Sequence, residues 1–294
     1  MPLISLHDRA ALAARFRTDP ALHLFELGDL DDALWPNTTW YTASAPAPDG
    51  PVALLYSGGD TPVLLAFARP TGLPPLEALL SDLRPFLPRR FTAGLPDGAE
   101  RALAPDYAVE RRTPLLRMLL TAGLPSEVAH ATQPLDLGDV EAVRTLLAES
   151  YPDSWFDPRM LAAGDYVGVR ENGRLLAVAG VHVHSPAQRV AVLGNVTTHP
   201  DARGRGLARA CVTALCHHLA VTTDHLGLNV RTDNAPAIRL YERLGFTTVA
   251  TYNELVLGAT SQDAGRCVRR RPATARTRTP HRPRPGTHSS RTFA

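Results

Sequence analysis

The stretch that most restricts what this chain can fold into is Arg203-Gly204-Arg205-Gly206-Leu207-Ala208, with two glycines between an apolar strand-like run and a helical run. Glycine lets a backbone bend sharply and approach a ligand with no Cβ in the way. A helix start leaves several main-chain N–H groups unpaired and carries a partial positive charge. Together they form a cradle suited to an anion such as a pyrophosphate, to which Arg203 and Arg205 can add side-chain charge. By itself the pattern also fits a plain tight strand-to-helix turn. Two phosphate-binding patterns are excluded. No Gly-Lys-Ser/Thr is present, and the preceding strand ends an antiparallel meander instead of opening a βαβ unit.

The flanks supply the surroundings. Val140, Val143 and Leu147 recur at helical spacing after Asp139. Tyr151–Phe156 reads as a loop. Asp157-Pro158 then gives an N-cap and a first-position proline to a short helix that Gly164 ends. Tyr166–Arg170, Leu175–His184 and Val190–Thr198 are joined by turns at Asn172-Gly173 and Ser185-Pro186, which reads as three antiparallel strands. After the glycine turn, Leu207, Cys211, Leu215 and Leu219 form one stripe of a helix. His225–Arg231 is a strand. Asn234 caps a helix with Ala237, Leu240, Tyr241 and Leu244 on one face, Gly245 ends it, and Phe246–Leu257 is a last strand. The fold class is α/β (α+β), a mixed and mostly antiparallel sheet flanked by helices.

A length of 294 residues points to two domains. The first 125 residues carry a similar order of elements without a glycine loop. Strands are expected at Trp40–Ala43, Val52–Tyr56, Val63–Phe67, Arg90–Leu95 and Leu115–Leu120, with a helix at Leu76–Leu87. The expected division is a degenerate first copy over 1–125, a linker near Gly123–Ser126, and a complete copy over 128–258. Residues 265–294 are rich in Arg, Pro and Thr and cannot bury enough surface to offset their ordering entropy, so disorder is expected there. The chain has no lysine, and nine of its 31 arginines lie between Arg266 and Arg291 with no Asp or Glu among them. The rest sets 22 arginines against 29 acids, an acidic body with a basic tail. Such a tail can touch nucleic acid or an acidic partner. With no aromatic residue between its arginines, a solvated extension is the favoured reading.

Three cysteines, Cys211, Cys216 and Cys267, with no CxxC pair and no zinc-spaced histidines, argue against a disulfide framework and a metal. No apolar run is long enough to span a bilayer, and the first residues carry charges in place of a signal-peptide core. A cytoplasmic protein without a membrane partner is expected.

The run Gly194-Asn195-Val196-Thr197-Thr198-His199-Pro200-Asp201-Ala202-Arg203-Gly204-Arg205-Gly206-Leu207-Ala208 resembles motif A of the GNAT N-acetyltransferase superfamily, with its Arg/Gln-x-x-Gly-x-Gly/Ala signature. Leu228-Asn229-Val230, then Asn234, Ala237, Leu240-Tyr241 and Leu244-Gly245-Phe246, resemble its motif B. The resemblance covers about residues 128–258. Within the superfamily it is nearest to the FR47-like group, related to glycine N-acyltransferases, whose members also carry a degenerate N-terminal half. It implies two tandem GNAT-like domains, with acetyl-CoA (acyl-CoA) as co-substrate, no metal, and an amine of a small molecule or peptide as acceptor. By the same resemblance the acyl group would pass by direct attack in a ternary complex. The alternative is a non-catalytic acyl-CoA-binding regulator.

The resemblance also implies roles for single residues. The pantetheine arm would pair with main-chain groups of Val196, Thr197 and Thr198, and the pyrophosphate would rest on the amides of Arg203, Gly204, Arg205, Gly206, Leu207 and Ala208. Asn234 would contact pantetheine, or serve only as a helix cap. Tyr241 matches the family's general acid toward the leaving thiolate; it also fits a core tyrosine. A free amide within Asn195–Thr198 would stabilise the oxyanion. Many relatives place a Glu on the motif A strand, and Val190–Asn195 has no carboxylate. His182 and His184, on one face of the neighbouring strand, and Glu254 on the last strand are the candidate bases, with the two histidines equally readable as polar residues of a sheet face. Trp155 and Phe156 either border the acceptor or plug the core.

Overall fold

The computed structural model describes residues 3–43, 50–126, 130–152 and 154–260. The arginine-rich segment 265–294, with Cys267, lies outside the described residues. Strands are β1 (Leu3–Leu6), β2 (Thr38–Ala43), β3 (Ala53–Tyr56), β4 (Val63–Leu65), β5 (Arg90–Leu95), β6 (Tyr107–Leu120), β7 (Gln133–Pro134), β8 (Val167–Glu171), β9 (Arg174–Ser185), β10 (Val190–Thr198), β11 (His225–Arg231) and β12 (Phe246–Ala259). Helices are α1 (Arg9–Phe16), α2 (Leu24–Gly28), α3 (Leu73–Leu83), α4 (Val140–Ser150), α5 (Arg159–Ala162), α6 (Leu207–Leu219) and α7 (Ala235–Arg243).

All twelve strands join one sheet in the order β1-β2-β3-β4-β5-β12-β6-β11-β10-β9-β8-β7. Neighbours are antiparallel except β4/β5 and β10/β11, which are parallel. The order reads alike from both edges, since each half contributes a four-strand meander, a helix (α3 or α6) and a parallel fifth strand. The sixth strands are exchanged. β6, from the first half, pairs with β11, and β12, from the second, pairs with β5. The two then pair with each other along nearly their whole length. A cut between residues 125 and 128 would therefore leave the fifth strand of each half, β5 or β11, without the neighbour that the other half supplies.

The exchange explains the buried parts of β6 and β12, whereas Ala108–Arg112 of β6 are exposed. A strand in the middle of a sheet covered on both sides is apolar on both faces. On β6, Leu115 joins the core beneath α1 and α2, whereas Met118 joins the core beneath α6. On β12, Tyr252 faces the first of these, and Leu255 and Leu257 face α3. The stripe expected on α6 is buried as Leu207, Cys211, Leu215 and Leu219, together with Ala210 and Cys216. Each fully buried leucine there contributes roughly 1.5–3 kcal/mol. A smaller core beneath α4 and α5 holds Leu135, Val143, Leu147, Leu161, Tyr166 and Val178.

β1, α1 and α2 have no sequence expectation behind them. Asp8 caps α1 by accepting from the Ala11 amide, but the helix has only eight residues. α2 has five residues, all buried, and so presents no amphipathic period. It lies across β9 and β10 of the other half.

Candidate active site

β10 and β11 pair in parallel from Val190–His225 to Leu193–Leu228 and then separate. The cause is on β10. Its register against β9 jumps from Gly194–Gly180 to Thr197–Val178, so Asn195 and Val196 drop out of the ladder. Asn195 has φ = 53°, a left-handed conformation that bends the strand. β11 meanwhile stays paired with β6 as far as Arg231–Leu115. A wedge opens, with the main chain of Asn195–Thr198 on one wall and Asn229–Arg231 on the other. On the β10 wall the Thr197 hydroxyl hydrogen-bonds the Ser150 hydroxyl at 3.0 Å.

β10 runs directly into the glycine loop. His199 accepts from the Asp201 amide at 3.2 Å and a 3₁₀ turn spans Pro200–Ala202. Gly204 (φ = 76°) and Gly206 (φ = 80°) are both left-handed. A Cβ built on Gly204 would meet nothing within 4 Å, and one on Gly206 only His130 Nε2 at 3.8 Å. The space over the loop is open, and the glycines are required by their backbone angles. Gly206 occupies the N-cap of α6, whose first amides have no carbonyl within the helix to donate to. The two loop arginines are held differently. Arg205 is ion-paired with Glu171, and its carbonyl is hydrogen-bonded by His130 at 2.8 Å. Arg203 reaches back to the Thr198 carbonyl at 3.4 Å. The positive character of the loop rests on its amides, the helix start and the guanidinium of Arg203, which meets a neutral carbonyl.

Asn234 accepts from the Ala237 amide at 3.2 Å and caps α7. Tyr241 lies on the inward side of α7, its ring 6.0 Å from that of Phe246. Burial first, and the nearby Tyr151 hydroxyl second, raise its phenol above the ordinary value of 10. It thus stays protonated at working pH, as a proton donor must. Tyr151 ends α4 and carries no sequence signal of its own, yet it approaches Tyr241 from the opposite face of the sheet.

Two expected base candidates lie elsewhere. His184 pairs with Ala191, before the wedge opens. Its Nδ1 is 2.7 Å from Asp165 and its Nε2 3.0 Å from the Thr222 hydroxyl. Asp165 also meets His218 at 3.3 Å. These contacts put His184 at the C-terminal end of α6, a helix about 20 Å long whose other end carries the glycine loop. Both ring nitrogens are engaged in tying β9 to the end of α6. Glu254 sits on β12 opposite Gly94 and Thr113, buried, with Arg111 at 3.6 Å. β6 stands between it and β11, so it is two strand spacings, about 10 Å, from the nearer wall. Spacing along the sequence gives no sign of the strand exchange that sends β12 into the other half.

His182 is the histidine brought to the bulge. A Cβ on Gly194 would come within 2.3–2.6 Å of its ring, so only glycine lets the two strands close here. On its other side the ring meets Trp155 at 6.1 Å. Phe156 turns inward onto Tyr166, at 6.0 Å, and plugs the core. Sequence reading missed a buried polar group under α2. Arg117 on β6 is 1% exposed, donates to the Leu22 carbonyl, and is caged by the rings of Phe25, Phe67 and Tyr252 at 4.3–5.5 Å. Its Nε approaches the Asn229 side chain on the wedge wall at 3.4 Å. The signal available was an arginine inside Leu115–Leu120.

Cys211 and Cys216 are buried in α6, and burial pushes both thiols up to about 12. Among the described residues no group of three His, Cys, Asp or Glu is arranged to hold a metal ion, and no helix is long and apolar enough to cross a membrane. A cavity of about 260 Å³ beside the β9–β10 turn, lined by Arg17, Leu27 and Gln188, lies at the far end of β10 and plays no part in the wedge.

A parallel pair split by a bulge and followed at once by a glycine-turn helix start is the arrangement on which one acyltransferase class is built. The acetyltransferase (GNAT) family model matches residues 140–246, and this part of the chain is a domain of that family. The chain is 32% identical over 203 residues to the mycothiol acetyltransferase of Tsukamurella paurometabola, covering 67% of this chain and 65% of that protein. It thus spans just under two thirds of that relative's length. A GNAT-family protein of known structure from Novosphingobium aromaticivorans is 28% identical, with a TM-score of 0.50 over 67% of this chain and 84% of that one. A Drosophila protein aligns over 88% of this chain and 98% of its own with a TM-score of 0.65 at 14% identity, a likeness of fold that takes in both halves.

Proposed function

We propose that this chain transfers an acetyl group from acetyl-CoA to a primary amine of a small molecule or peptide. The observation that carries the reading is the continuity of wedge and cradle: β10 separates from β11 at Asn195 and reaches the open glycine turn within ten residues. In this reading residues 128–258 bind the acyl donor, and residues 1–125 are a repeat that has lost its glycine turn. The pyrophosphate rests on the amides of Arg203–Ala208, with pantetheine along Val196–Thr198 and against Asn234. A main-chain amide freed by the bulge faces the thioester carbonyl and stabilises the oxyanion formed when the amine attacks. The C–S bond then breaks, and Tyr241 gives its proton to the departing thiolate. The amine's proton leaves through water or to His182, the titratable ring next to the bulge. Relatives named as mycothiol acetyltransferases support a small molecule as acceptor.

The test is release of free thiol from acetyl-CoA in the presence of an amine panel spanning amino sugars, amino acids, polyamines and peptide N-termini. Release with at least one class is expected, and none above background on the whole panel refutes transfer. One observation favours a second reading, an acyl-CoA-binding regulator: no residue of Val190–Thr198 is a carboxylate. Tight acetyl-CoA binding with no turnover on any amine would select it.

A further inference from the structure

Asn195 combines three features that a residue in a plain strand bend would not need. It is a non-glycine residue in the left-handed region, at φ = 53°. Its side chain is buried, with 1% exposure for the whole residue. Its Nδ2 donates twice, to the Trp155 carbonyl and to the Tyr166 hydroxyl, each at 2.9 Å. A carbonyl can only accept, so the orientation of the amide is fixed by the Trp155 bond. Its Oδ1 is thereby turned into the protein, where it has no hydrogen-bond partner among the described residues. Glycine would supply the same backbone angle without the steric penalty and without a buried oxygen to satisfy.

The partners are informative. Tyr166 is fixed by the close approach of Gly180 to its ring, by Phe156, and by a contact from its hydroxyl to Met160 Sδ at 3.3 Å. Trp155 leans on His182, which covers Gly194, the residue before Asn195. A closed circuit runs Asn195–Trp155–His182–Gly194 and back along the chain. One side of it is the bulge on the β10 wall of the wedge; the other is the segment between α4 and α5 that carries Trp155.

We propose that Trp155 borders the acceptor and that Asn195 is a positioning residue locking the Trp155 segment to the β10 bulge, so that occupation of the wedge by the donor is transmitted to the acceptor side. This rests on the wedge being the acyl-CoA site. A ligand pairing with Val196–Thr198 loads the strand one residue from Asn195, and the two hydrogen bonds pass any adjustment to the Trp155 main chain. The acceptor side then takes its working shape only with the donor bound.

The test uses the full chain labelled with 5-fluorotryptophan, which has three tryptophans, the Trp155 resonance being assigned with Trp155→Phe. Acetyl-CoA binding is followed in parallel by calorimetry. In the wild type, acetyl-CoA is expected to shift the Trp155 resonance. In Asn195→Gly the binding constant should stay within about threefold, a change of under 1 kcal/mol, and the shift should be lost. Tyr166→Phe, which keeps the ring and removes one acceptor of the circuit, should reduce the shift. The double variant should behave as Asn195→Gly alone, because both act through one side chain. A full Trp155 shift in Asn195→Gly overturns the proposal. So does loss of both binding and melting temperature in that variant with a full shift in Tyr166→Phe, which would make Asn195 a folding residue only. Wild-type protein that gives no calorimetric heat with acetyl-CoA refutes the acyl-CoA reading itself, a separate result.

Discussion

Gly204 and Gly164 form a matched pair that separates the cost of a backbone angle from the cost of blocking a ligand. Their φ values are 76° and 77°, and a Cβ on either would meet nothing within 4 Å. Gly164 follows α5 next to Asp165, which binds His184 and His218 at the C-terminal end of α6, away from the glycine turn. An L-residue in the left-handed region costs about 1–2 kcal/mol. Alanine at either site should therefore lower the melting temperature alike, by roughly 2–8 °C for a chain of this size. The methyl group at 204 alone would project into the space over the amides. Losing one hydrogen bond from an amide to a charged phosphate removes about 1.5–3 kcal/mol, or roughly 10–150-fold in the dissociation constant of coenzyme A. Differential scanning fluorimetry and calorimetry on Gly204→Ala and Gly164→Ala give both numbers. Equal melting shifts with weakened binding only at 204 is the expected result. Gly204→Ala binding coenzyme A as tightly as wild type would refute the cradle.

Three further outcomes are expected. Tyr241→Phe should lower turnover about 10²–10⁴-fold while leaving the acetyl-CoA dissociation constant unchanged. Since burial raises the Tyr241 phenol above 10, the wild-type rate should not fall between pH 9 and 10 through its ionisation, and a loss of rate there assigned to Tyr241 by the variant would contradict the donor role. Titration with coenzyme A should saturate at one equivalent per chain. The helix matching α6 in the first half begins Leu73-Pro74-Pro75, so two of its first residues have no N–H to offer, and its N-cap Gly72 is not left-handed (φ = −92°); a second equivalent at similar affinity would contradict this. Cys211 and Cys216 ionise near 9 when exposed and near 12 in the folded chain. The unfolded state thus loses its protons first as pH rises, so their stabilisation is complete below pH 9 and declines from 9 to 12. Denaturant melts at pH 8 and pH 10.5 on wild type and on Cys211→Ala/Cys216→Ala test this, with a smaller loss expected in the variant.

What could be read from the sequence was what local physics dictates. The Asn172-Gly173 hairpin, the Asn234 cap, the Gly245 stop and the Gly204/Gly206 turn each need a particular residue at a particular backbone angle, and all four fall at the expected places. The α6 stripe was legible because α6 is long enough to repeat its period three times. A free amide within Asn195–Thr198 was expected from the family resemblance, but the residue that bends the strand there, Asn195, has no local signature, since asparagine in a strand run signals nothing until its φ is known. What spacing along the chain could not place was the consequence of strand register and of the exchange between the halves. His184 is two residues from His182, the same distance that puts residues on one face of a regular strand. The register shift between Val192 and Leu193 breaks that regularity and leaves only His182 against Gly194. Glu254 was a reasonable candidate for a strand closing its own half, and it became remote because β6 is inserted between β11 and β12. The same insertion brings Arg117, a residue of the first half, against the Asn229 side chain in the wall of the second half's wedge. In a chain whose halves trade their last strands, a site in one half has a wall backed by a strand of the other. A polar residue in a central strand of either half is then a candidate for that site before it is a candidate for its own.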